Sequence, residues 1–386
     1  MDLMDLPNDA YPRQDERLII MERHFQDLQR DWSRKNFLSL SALGTGALLF
    51  RPWRKWFEQQ DFPEAERLGR ICVGKVDLRA RPDYDAPVTG MLYEDTVVPW
   101  YREVVGYWPG RNNQRWVETP EGYVWAPDIQ PVREELNQPV AELPQTGEKP
   151  GMWVEVTVPW IGAVLENQEA YSSWWRLLKA KNLTPRFYYS QILWVDDIRV
   201  DQDDQTWYRI NERYGNPGDL LWARAEAFKP ITEEELAPIH PEAEDKQIVV
   251  DRSYSRQMLS CYEGDTEVYF CRVSTGRGKN STPLSGTGYP GFPIFRKLYA
   301  IQMSGGTNQQ GWMIPGIGWT SFFAEGGVAV HSTFWHNNFG EPSSHGCVNA
   351  RPEDAKWIFR WSQPEVPYPV GNLDEITGTR VKVIEY

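Results

Sequence analysis

Basic residues, long hydrophobic runs and cysteines are scarce in this 386-residue sequence, and each scarcity argues against one class of protein. Basic residues are in deficit, with 41 Lys and Arg against 54 Asp and Glu and a formal net charge of -13. This balance argues against nucleic-acid binding, because no basic stripe is available to neutralise phosphates. Long hydrophobic runs are missing, so the sequence predicts no comfortable transmembrane helix. Cysteines number only four, too few for a disulfide scaffold in a chain of this length.

Two of the cysteines, Cys261 and Cys271, lie in one predicted hairpin. A turn centred on Gly264 would place Cys261 opposite Glu267. The same register would place Cys271 opposite Gln257, so the two sulfurs would be too far apart to bond. The sequence therefore predicts free thiols in this hairpin.

The first 60 residues are predicted to be a polar segment that carries an export signal or anchor. Ser33–Phe50 begins with a basic pair and continues with mostly apolar and small residues. Its length fits the apolar core of an export signal better than a transmembrane span. Its start, Ser33–Leu38, resembles the twin-arginine export motif, with Lys35 in place of the second arginine. We expect an exported protein of the cell envelope, with residues 33–50 cleaved or kept as a membrane anchor; a buried or amphipathic helix is the alternative.

Aromatic residues, proline and glycine are plentiful, with 19 Trp, 18 Tyr, 15 Phe, 29 Pro and 30 Gly. This mixture favours short strands and turns over long helices, so the fold class is predicted to be mainly β. The length favours two or three domains. Strand-like segments at 70–134, 151–235 and 246–386 are separated by a Pro/Gln/Glu-rich linker at 132–150 and an acidic linker at 231–245.

The segment 70–134 resembles a bacterial SH3-like domain, which implies a small β-barrel. Three stretches carry the resemblance: Val76–Arg79, Trp116-Val117 and Gly122–Ala126. The segment 151–235 echoes it, because Trp207-Tyr208 and Leu221–Ala223 match Trp116-Val117 and Val124–Ala126 in type and order. We therefore expect a second SH3-like unit there.

The reactive residue types concentrate in the window Gly327–Trp361. It holds three of the five histidines and one of the four cysteines: His331, His336, His345 and Cys347. A nucleophilic cysteine needs a nearby base and backbone amides that can hold an oxyanion. A short apolar strand at Val328–Val330 is predicted to deliver His331 and Ser332 at its end.

Gly346 lets the backbone turn tightly just before Cys347, so that nearby amides can face a developing oxyanion. A helix is predicted to begin at Pro352–Asp354, and its positive end would help to stabilise a thiolate. A zinc site is the alternative for the cluster. Zinc motifs pair their ligands at tighter spacing and repeat the pair, and only His345 and Cys347 lie that close together, so the spacing favours a nucleophile.

From about Lys246 to Tyr386 the sequence resembles the catalytic domain of L,D-transpeptidases, the YkuD-type family of peptidoglycan enzymes. The family pattern has a histidine on a strand, a loop, and then Ser/Thr-His-Gly-Cys followed by a hydrophobic residue and Asn or Arg. Four stretches of this chain match it: Val273–Gly276, Thr282-Pro283, His331-Ser332 and Ser344–Asn349. The resemblance implies a β-sandwich with short helices, and a slightly short spacing predicts a shorter loop over the site.

The resemblance also implies roles for single residues. Cys347 would be the nucleophile, and His331 would be the general base that holds the thiolate as an ion pair. An oxygen of Ser332 would orient the imidazole, and the Cys347 amide would contribute to the oxyanion hole. The Gly346 amide would complete the oxyanion hole. His345 would shape the site, and Asn349 would brace the turn. Five further residues would line the substrate cleft: Tyr299, Met303, Trp319, Trp335 and Ser344.

The implied reaction is acyl transfer on a peptidoglycan stem tetrapeptide, without metal or cofactor. Cys347 would attack the carbonyl between the third residue and the terminal D-alanine, release D-Ala and form a thioester. An amine of a neighbouring stem would resolve it as a 3→3 cross-link, and carbapenems should acylate the same sulfur. Water as acceptor would make an L,D-carboxypeptidase, and a non-catalytic wall-binding protein is the other alternative. The SH3-like units would either space the catalytic domain or bind wall glycan or peptide.

Overall fold

Strands dominate the part of the chain that the structure describes, which confirms the predicted mainly β fold. The computed structural model describes residues 61–386 except 168, 182, 212–218, 279–280, 306–311 and 376. The predicted signal or anchor at Ser33–Phe50 lies outside the described residues. Within them, no helix has both the length and the apolar character that a membrane crossing requires.

Eight strands make the first module, over the segment predicted as a domain at 70–134. Their bounds are β1 Leu68–Ile71, β2 Lys75–Arg79, β3 Val88–Tyr93, β4 Val97–Pro99, β5 Arg102–Val105, β6 Arg115–Thr119, β7 Gly122–Trp125 and β8 Ile129–Val132, with a 3₁₀ turn at Ala126–Asp128. The sheets have the orders β4-β1-β8 and β3-β2-β7-β6-β5. One buried cluster draws on both sheets, with Ile71, Val117 and Ile129 at its centre. The SH3-like assignment of this module stays a prediction.

The second module follows with ten short strands and one helix. Their bounds are β9 Gln145–Thr146, β10 Lys149–Pro150, β11 Met152–Val156, β12 Trp160–Gly162, β13 Val164–Leu165, α1 Ser173–Ala180, β14 Arg186–Tyr188, β15 Ile192–Val200, β16 Thr206–Asn211, β17 Leu220–Arg224 and β18 Phe228–Pro230, with a 3₁₀ turn at Ala225–Ala227. Its main sheet has the order β13-β17-β16-β15-β11-β18. A further 3₁₀ turn at Glu234–Leu236 lies in the acidic linker.

Part of the strand pattern recurs in the two modules, and the second SH3-like unit stays a prediction. In each, a hairpin is followed by a 3₁₀ turn and by a strand that returns to an early strand: β8 pairs with β1, and β18 pairs with β11. The 3₁₀ turns equate Ala126 with Ala225, whereas the sequence comparison equates Ala126 with Ala223. An offset of two residues preserves which side chains face inward, so the sequence pattern alone does not detect it.

The third module contains the window with the histidines and Cys347. Its elements are β19 Lys246–Asp251, β20 Met258–Glu263, β21 Thr266–Arg272, β22 Phe292–Pro293, β23 Arg296–Gly305, β24 Trp312–Ala324, β25 Val328–Ser332, β26 Val348–Ala350, α2 Pro352–Trp361, β27 Asn372–Asp374 and β28 Arg380–Ile384. Two five-stranded sheets have the orders β21-β20-β19-β28-β22 and β26-β25-β24-β23-β27. Their buried side chains join those of α2 in one cluster, which includes Val250, Val330 and Ile358.

The register of the β20–β21 hairpin differs from the prediction. Cys261 pairs with Tyr269, and Cys271 pairs with Leu259. A two-residue turn and a bulge beside Cys261 account for the shift, because each moves the partners along the chain. Both cysteines are free thiols, as predicted, and burial raises their pKa values well above the ordinary value.

Helix α2 begins where the sequence predicts it and supports the reactive sheet from behind. Pro352 occupies the first turn, where its missing N–H costs nothing, and Glu353 adds a favourable charge at the positive end. Asp354 accepts a hydrogen bond from the Tyr269 hydroxyl at 2.7 Å. The side of α2 that faces the core buries four of its residues deeply: Ala355, Ile358, Phe359 and Trp361.

A buried lysine holds the C-terminus of α2. Lys297 on β23 is 1% exposed. Its Nζ donates to the carbonyl oxygens of Phe359 at 2.6 Å, Ser362 at 2.7 Å and Pro364 at 2.8 Å. Carbonyl groups at a helix C-terminus lack intrahelical donors, so one Nζ group serves three acceptors that burial would otherwise leave unpaired. Burial lowers the pKa of Lys297 well below its ordinary value, and the three carbonyl partners favour the ammonium form.

Replacing Lys297 by methionine is expected to lower the free energy of unfolding by at least about 3 kcal/mol, because three buried carbonyls lose their donor at roughly 1–3 kcal/mol each. Urea unfolding followed by far-UV circular dichroism measures the loss. Lys382→Met on β28 is the matched control, because its side chain is exposed, and it should change stability by no more than about 0.5 kcal/mol. Equal unfolding midpoints for the two variants would contradict a capping role for Lys297.

Candidate active site

The predicted base lies on β25, and the predicted nucleophile directly precedes β26, the parallel strand that pairs with β25. β25 pairs with β26 so that Val330 is opposite Val348 and His331 is opposite Asn349. Cys347 comes just before β26, and side chains alternate between the two faces of a strand, so Cys347 and His331 share a face. Diagonal neighbours across such a pair lie about 8 Å apart between Cα atoms, within reach of a thiol and an imidazole.

The two faces of this sheet have different surroundings. Val330 and Val348 belong to the buried cluster that includes α2. Ala329 and Cys347 instead pack in a second cluster with Phe322, on the other face. The thiol therefore points away from α2, while the helix supports both strands from behind.

His331 is oriented by the backbone of the next residue. Its Nδ1 lies 2.8 Å from the carbonyl oxygen of Ser332, and only a protonated Nδ1 can donate to a carbonyl. The neutral ring then carries its lone pair on Nε2, which can accept a proton. Ser332 Oγ accepts a hydrogen bond from the Gly318 amide at 3.1 Å, so the orienting oxygen predicted at Ser332 is the carbonyl.

Cys347 is partly exposed, in contrast to the three other cysteines, which are buried. Its Sγ lies 3.5 Å from the carbonyl oxygen of Gly327, to which the thiol donates a weak hydrogen bond. Gly327 has a φ of 79° and ends the turn between β24 and β25. That turn therefore brings a backbone acceptor to the thiol.

The pKa values of the pair favour neutral groups at rest. Burial lowers the pKa of His331 to about 4. Desolvation raises the pKa of the Cys347 thiol to about 11. Both shifts disfavour the charged forms, so at pH 7 the unliganded site holds a thiol and a neutral imidazole. Neutral groups at rest would leave the thiolate to form as the substrate carbonyl is attacked, and the ion pair that the family resemblance implies stays a prediction.

Hydrogen bonds hold the turn before Cys347. Gly346 has a φ of 123°, a conformation that favours glycine. Ser344 Oγ donates to the Cys347 carbonyl oxygen at 2.5 Å and accepts from the Gly346 amide at 3.1 Å. Thr282 Oγ1 donates to the Gly346 carbonyl oxygen at 2.8 Å. Ser344 therefore braces the turn rather than lining the cleft, and the Gly346 amide would have to leave Ser344 before it could bind an oxyanion.

Asn349 braces the site through His336. The side-chain amide of Asn349 lies 2.9 Å from His336 Nε2, and His336 Nδ1 accepts from the Asn338 amide at 3.1 Å. A neutral imidazole that accepts at Nδ1 donates at Nε2, so the Asn349 amide must present its oxygen. Asn349 thus ties β26 to the loop after β25. Its predicted role in bracing the turn before Cys347 stays a prediction.

The residues predicted to line the cleft divide into two groups. Trp335 lies with its ring centroid 5.9 Å from that of His331, and Met303 packs in the same cluster as Cys347. Tyr299 and Trp319 are 2% and 1% exposed and lie in the buried cluster that includes α2. The Tyr299 hydroxyl donates to the Val366 carbonyl oxygen at 2.6 Å. The cleft prediction for Tyr299 and Trp319 is therefore wrong, because their sheet face points to the core.

His345 is exposed in the turn, where a substrate could reach it. Among the residues that the structure describes, no group of three or more His, Cys, Asp and Glu side chains is placed to hold a metal ion. The described site thus combines the Cys347 thiol, the His331 imidazole with its lone pair on Nε2, and the turn at Gly346. This arrangement can perform nucleophilic acyl transfer.

Comparison with known families agrees with this geometry. The model of the L,D-transpeptidase catalytic domain, YkuD, matches residues 245–383. These residues form a YkuD-type L,D-transpeptidase domain. The match begins one residue before β19 and ends within β28, so the transpeptidase domain coincides with the third module. No curated protein sequence matches the chain at a significant level.

Several solved structures share a weaker likeness with part of the chain. A mutant L,D-transpeptidase of Enterococcus faecium is 22% identical over 37% of this chain and 51% of its own, with a TM-score of 0.28. The L,D-transpeptidases of Mycobacterium smegmatis and Mycobacterium tuberculosis H37Rv are 15% and 14% identical over 64% of this chain and 98% and 97% of theirs, with TM-scores of 0.29 and 0.27. The chain thus spans about half the length of the Enterococcus chain. TM-scores this low carry no weight for the assignment, which rests on the family model.

Two contributors to the site, Thr282 and Gly327, have roles that the sequence alone does not indicate. Thr282 stands in a stretch that matches the family pattern, yet its contact with the Gly346 carbonyl depends on a distant loop that returns to the turn. The Gly327 carbonyl reaches the Cys347 thiol from the β24–β25 turn. The pair of glycines at 326 and 327 is the only sequence signal for this turn, and it does not indicate a contact with the thiol.

Proposed function

We propose that the protein is a peptidoglycan L,D-transpeptidase that forms 3→3 cross-links by cysteine acyl transfer. The observation that supports this proposal is that Cys347 and His331 lie on the same face of the β25–β26 pair, with the His331 lone pair on Nε2. The transpeptidase domain supplies the class of substrate, which is the stem peptide of the wall. A tetrapeptide donor and release of D-Ala complete the proposed reaction.

In the proposed acylation, His331 Nε2 removes the thiol proton as Cys347 Sγ bonds to the donor carbonyl carbon. The carbonyl oxygen becomes an oxyanion in a tetrahedral intermediate, which the Cys347 amide stabilises, joined by the Gly346 amide once that amide leaves Ser344. The C–N bond to D-Ala then breaks, and the proton on His331 passes to the departing amine. The product is a thioester on Cys347 and free D-Ala, with His331 neutral again.

In the proposed transfer step, the side-chain amine of a second stem attacks the thioester carbonyl. His331 accepts the amine proton and returns it to the sulfur as the C–S bond breaks. A new amide links the third residues of two stems, and the thiol is restored. Water in place of the amine would give a tripeptide and make the protein an L,D-carboxypeptidase.

We also propose that the first two modules contact the wall and that the protein is exported. Support for wall contact comes from exposed aromatic side chains on the first module, where Tyr84 and Tyr107 are 39% and 50% exposed. Tyr84 packs edge-on against Trp108 with ring centroids 4.9 Å apart, and such rings can stack on sugars or peptides. Support for export comes from the signal-like Ser33–Phe50 sequence and from a substrate that lies outside the cytoplasm.

Incubation with purified sacculi rich in tetrapeptide stems tests the proposed reaction. Digestion and mass spectrometry of the muropeptides should show 3→3 dimers, with an equal amount of free D-Ala. The Cys347→Ala protein should give neither product, and it should co-sediment with the sacculi if the modules bind the wall. Tripeptides without 3→3 dimers would contradict transfer and favour hydrolysis, and protein that stays in the supernatant would contradict wall contact.

A further inference from the structure

The first module holds the loop that connects the base to the nucleophile. This connecting loop, Thr333–Pro342, begins directly after β25 and leads to the turn before Cys347. Acceptors on three of its residues bind the first module: Phe334, Asn337 and Glu341. The Glu341 carboxylate is buried, and it accepts hydrogen bonds from the backbone amides of Asn112 at 2.7 Å and Asn113 at 2.9 Å. The connecting loop is therefore packed between two modules.

Arg70 on β1 makes a buried contact with this loop. Its side chain is 3% exposed, and its Nη2 donates to the Phe334 carbonyl oxygen at 2.6 Å. Within its own module the same guanidinium donates to Asp95 at 3.0 Å and to Gln130 at 2.9 Å. Those partners fix the planar group, so its donor to Phe334 is held in one place.

The second module joins the same junction. The Tyr188 ring stacks on Phe334 with centroids 5.6 Å apart and planes at 19°, and Arg70 lies over Tyr188 at 4.5 Å. Arg186 pairs with Asp95 at 2.5 Å from the other side. Arg70 thus lies where all three modules meet, with the Phe334 backbone as its contact in the transpeptidase domain.

From Phe334 the contacts continue to His331. Trp335 packs edge-on against Phe334, with centroids 5.2 Å apart and planes at 86°, and it also lies beside the His331 ring. We propose that Arg70 is a positioning residue for acyl transfer, which fixes the connecting loop through the Phe334 carbonyl and thereby holds Trp335 against His331. This inference rests on the proposed function, because it assigns the consequence to the base of that reaction.

Arg115 on β6 provides an independent contact of the same kind. Its Nη2 donates to the Asn337 carbonyl oxygen at 2.9 Å, and its Nη1 pairs with Glu103 at 3.1 Å. The Arg115 side chain is 24% exposed, so its loss threatens folding less than the loss of Arg70. Substitutions at Arg70 and at Arg115 can therefore be compared to distinguish an effect on the position of the loop from an effect on the stability of the first module.

The test compares Arg70→Met, Arg70→Lys and Arg115→Met with wild type in single-turnover acylation by meropenem, followed by intact mass. For Arg70→Met we expect the maximal acylation rate to fall about ten- to a hundredfold, with a half-saturation concentration within about twofold of wild type, because Arg70 orders the loop without contacting the ligand. Arg70→Lys should recover part of the rate, since lysine keeps a charged donor without the planar fork. Arg115→Met should lower the rate about three- to tenfold at an unchanged melting temperature.

Asn112→Ala is the matched control. Its Nδ2 donates to the Tyr254 carbonyl oxygen at 2.8 Å, a contact between the same two modules that does not involve the connecting loop. Its backbone amide, which binds Glu341, is kept in the variant. Asn112→Ala should acylate at the wild-type rate.

Nitrogen-15 chemical shifts of the histidine rings add a second measurement, which a change in stability alone would not alter. In both arginine-to-methionine variants the His331 ring signals should shift, whereas those of exposed His240 should stay in place. Acylation at the wild-type rate by folded Arg70→Met and Arg115→Met would overturn the inference, as would an effect confined to half-saturation. If Arg70→Met does not fold, Arg115→Met alone decides. Wild-type protein without any adduct would instead contradict the proposed function.

Discussion

Replacing Cys347 by alanine is expected to abolish the covalent adduct that meropenem forms with the protein. The wild-type chain should gain the mass of one acyl group, because its partly exposed thiol lies on the same strand face as the candidate base. Alanine removes the partly exposed sulfur that would form the thioester, and the three other cysteines are buried. Intact-protein mass spectrometry after incubation with excess meropenem measures the result directly.

Two buried cysteines give matched controls for this substitution. Cys261→Ala and Cys271→Ala each remove a thiol, but burial raises the pKa of these groups well above the ordinary value, and both lie inside the core. Buried thiols of this kind are inert, so both variants should form the adduct as wild type does. An adduct on the Cys347→Ala protein would show that another residue is the nucleophile.

Replacing His331 by asparagine is expected to slow acylation about 10²- to 10⁴-fold, the usual contribution of a positioned general base. Asparagine can keep a donor near Nδ1 and so preserve the hydrogen bond to the Ser332 carbonyl. It has no group that accepts a proton in place of Nε2. The single-turnover rate of adduct formation measures the loss.

His240→Asn is the control for this second substitution. His240 is exposed in the acidic linker, where its Nδ1 pairs with Glu263 at 2.7 Å. Its loss should leave the acylation rate unchanged. Equal rates for His331→Asn and wild type would remove His331 from the mechanism, even if Cys347 remained the acylated residue.

The elements that carry the site could be predicted from local sequence. The run of apolar residues at Val328–Val330, directly before His331, predicts a short strand. Strand β25 confirms this prediction. Helix α2 could be predicted because Pro352, the acids after it and the apolar spacing of Ala355 and Ile358 all favour the same structure. The family pattern then identified which histidine and cysteine to combine.

The face of the sheet on which each aromatic side chain lies could not be predicted in the same way. Tyr299 and Trp319 are large and lie near the matched window, yet they point to the core. A shift of one residue along a strand reverses the face, and Trp319 has a φ of 58° inside β24, which interrupts regular alternation. Side-chain size alone therefore does not separate a cleft residue from a core residue on this sheet.

The hydrogen bonds of the turn and of the connecting loop depend on distant parts of the chain. Nothing near Arg70 in the sequence indicates that its guanidinium reaches the Phe334 carbonyl, because the contact exists only once two modules pack together. The engagement of the Gly346 amide by Ser344 also depends on turn geometry rather than on residue type. Such contacts follow from tertiary structure, which composition and periodicity do not encode locally.

The pH dependence of acylation tests the central claim that a neutral His331 activates Cys347. Because burial lowers the pKa of His331 to about 4, the base stays unprotonated as pH falls from 7.5 to 5.5. The thiol, with a pKa raised to about 11, stays protonated over the same range. With a neutral His331 as base, the single-turnover rate is expected to be the same at both pH values. A roughly tenfold lower rate at pH 5.5 would indicate an imidazole with its ordinary pKa, and a rate that rises in proportion to hydroxide would indicate a free thiolate; either result would contradict the claim.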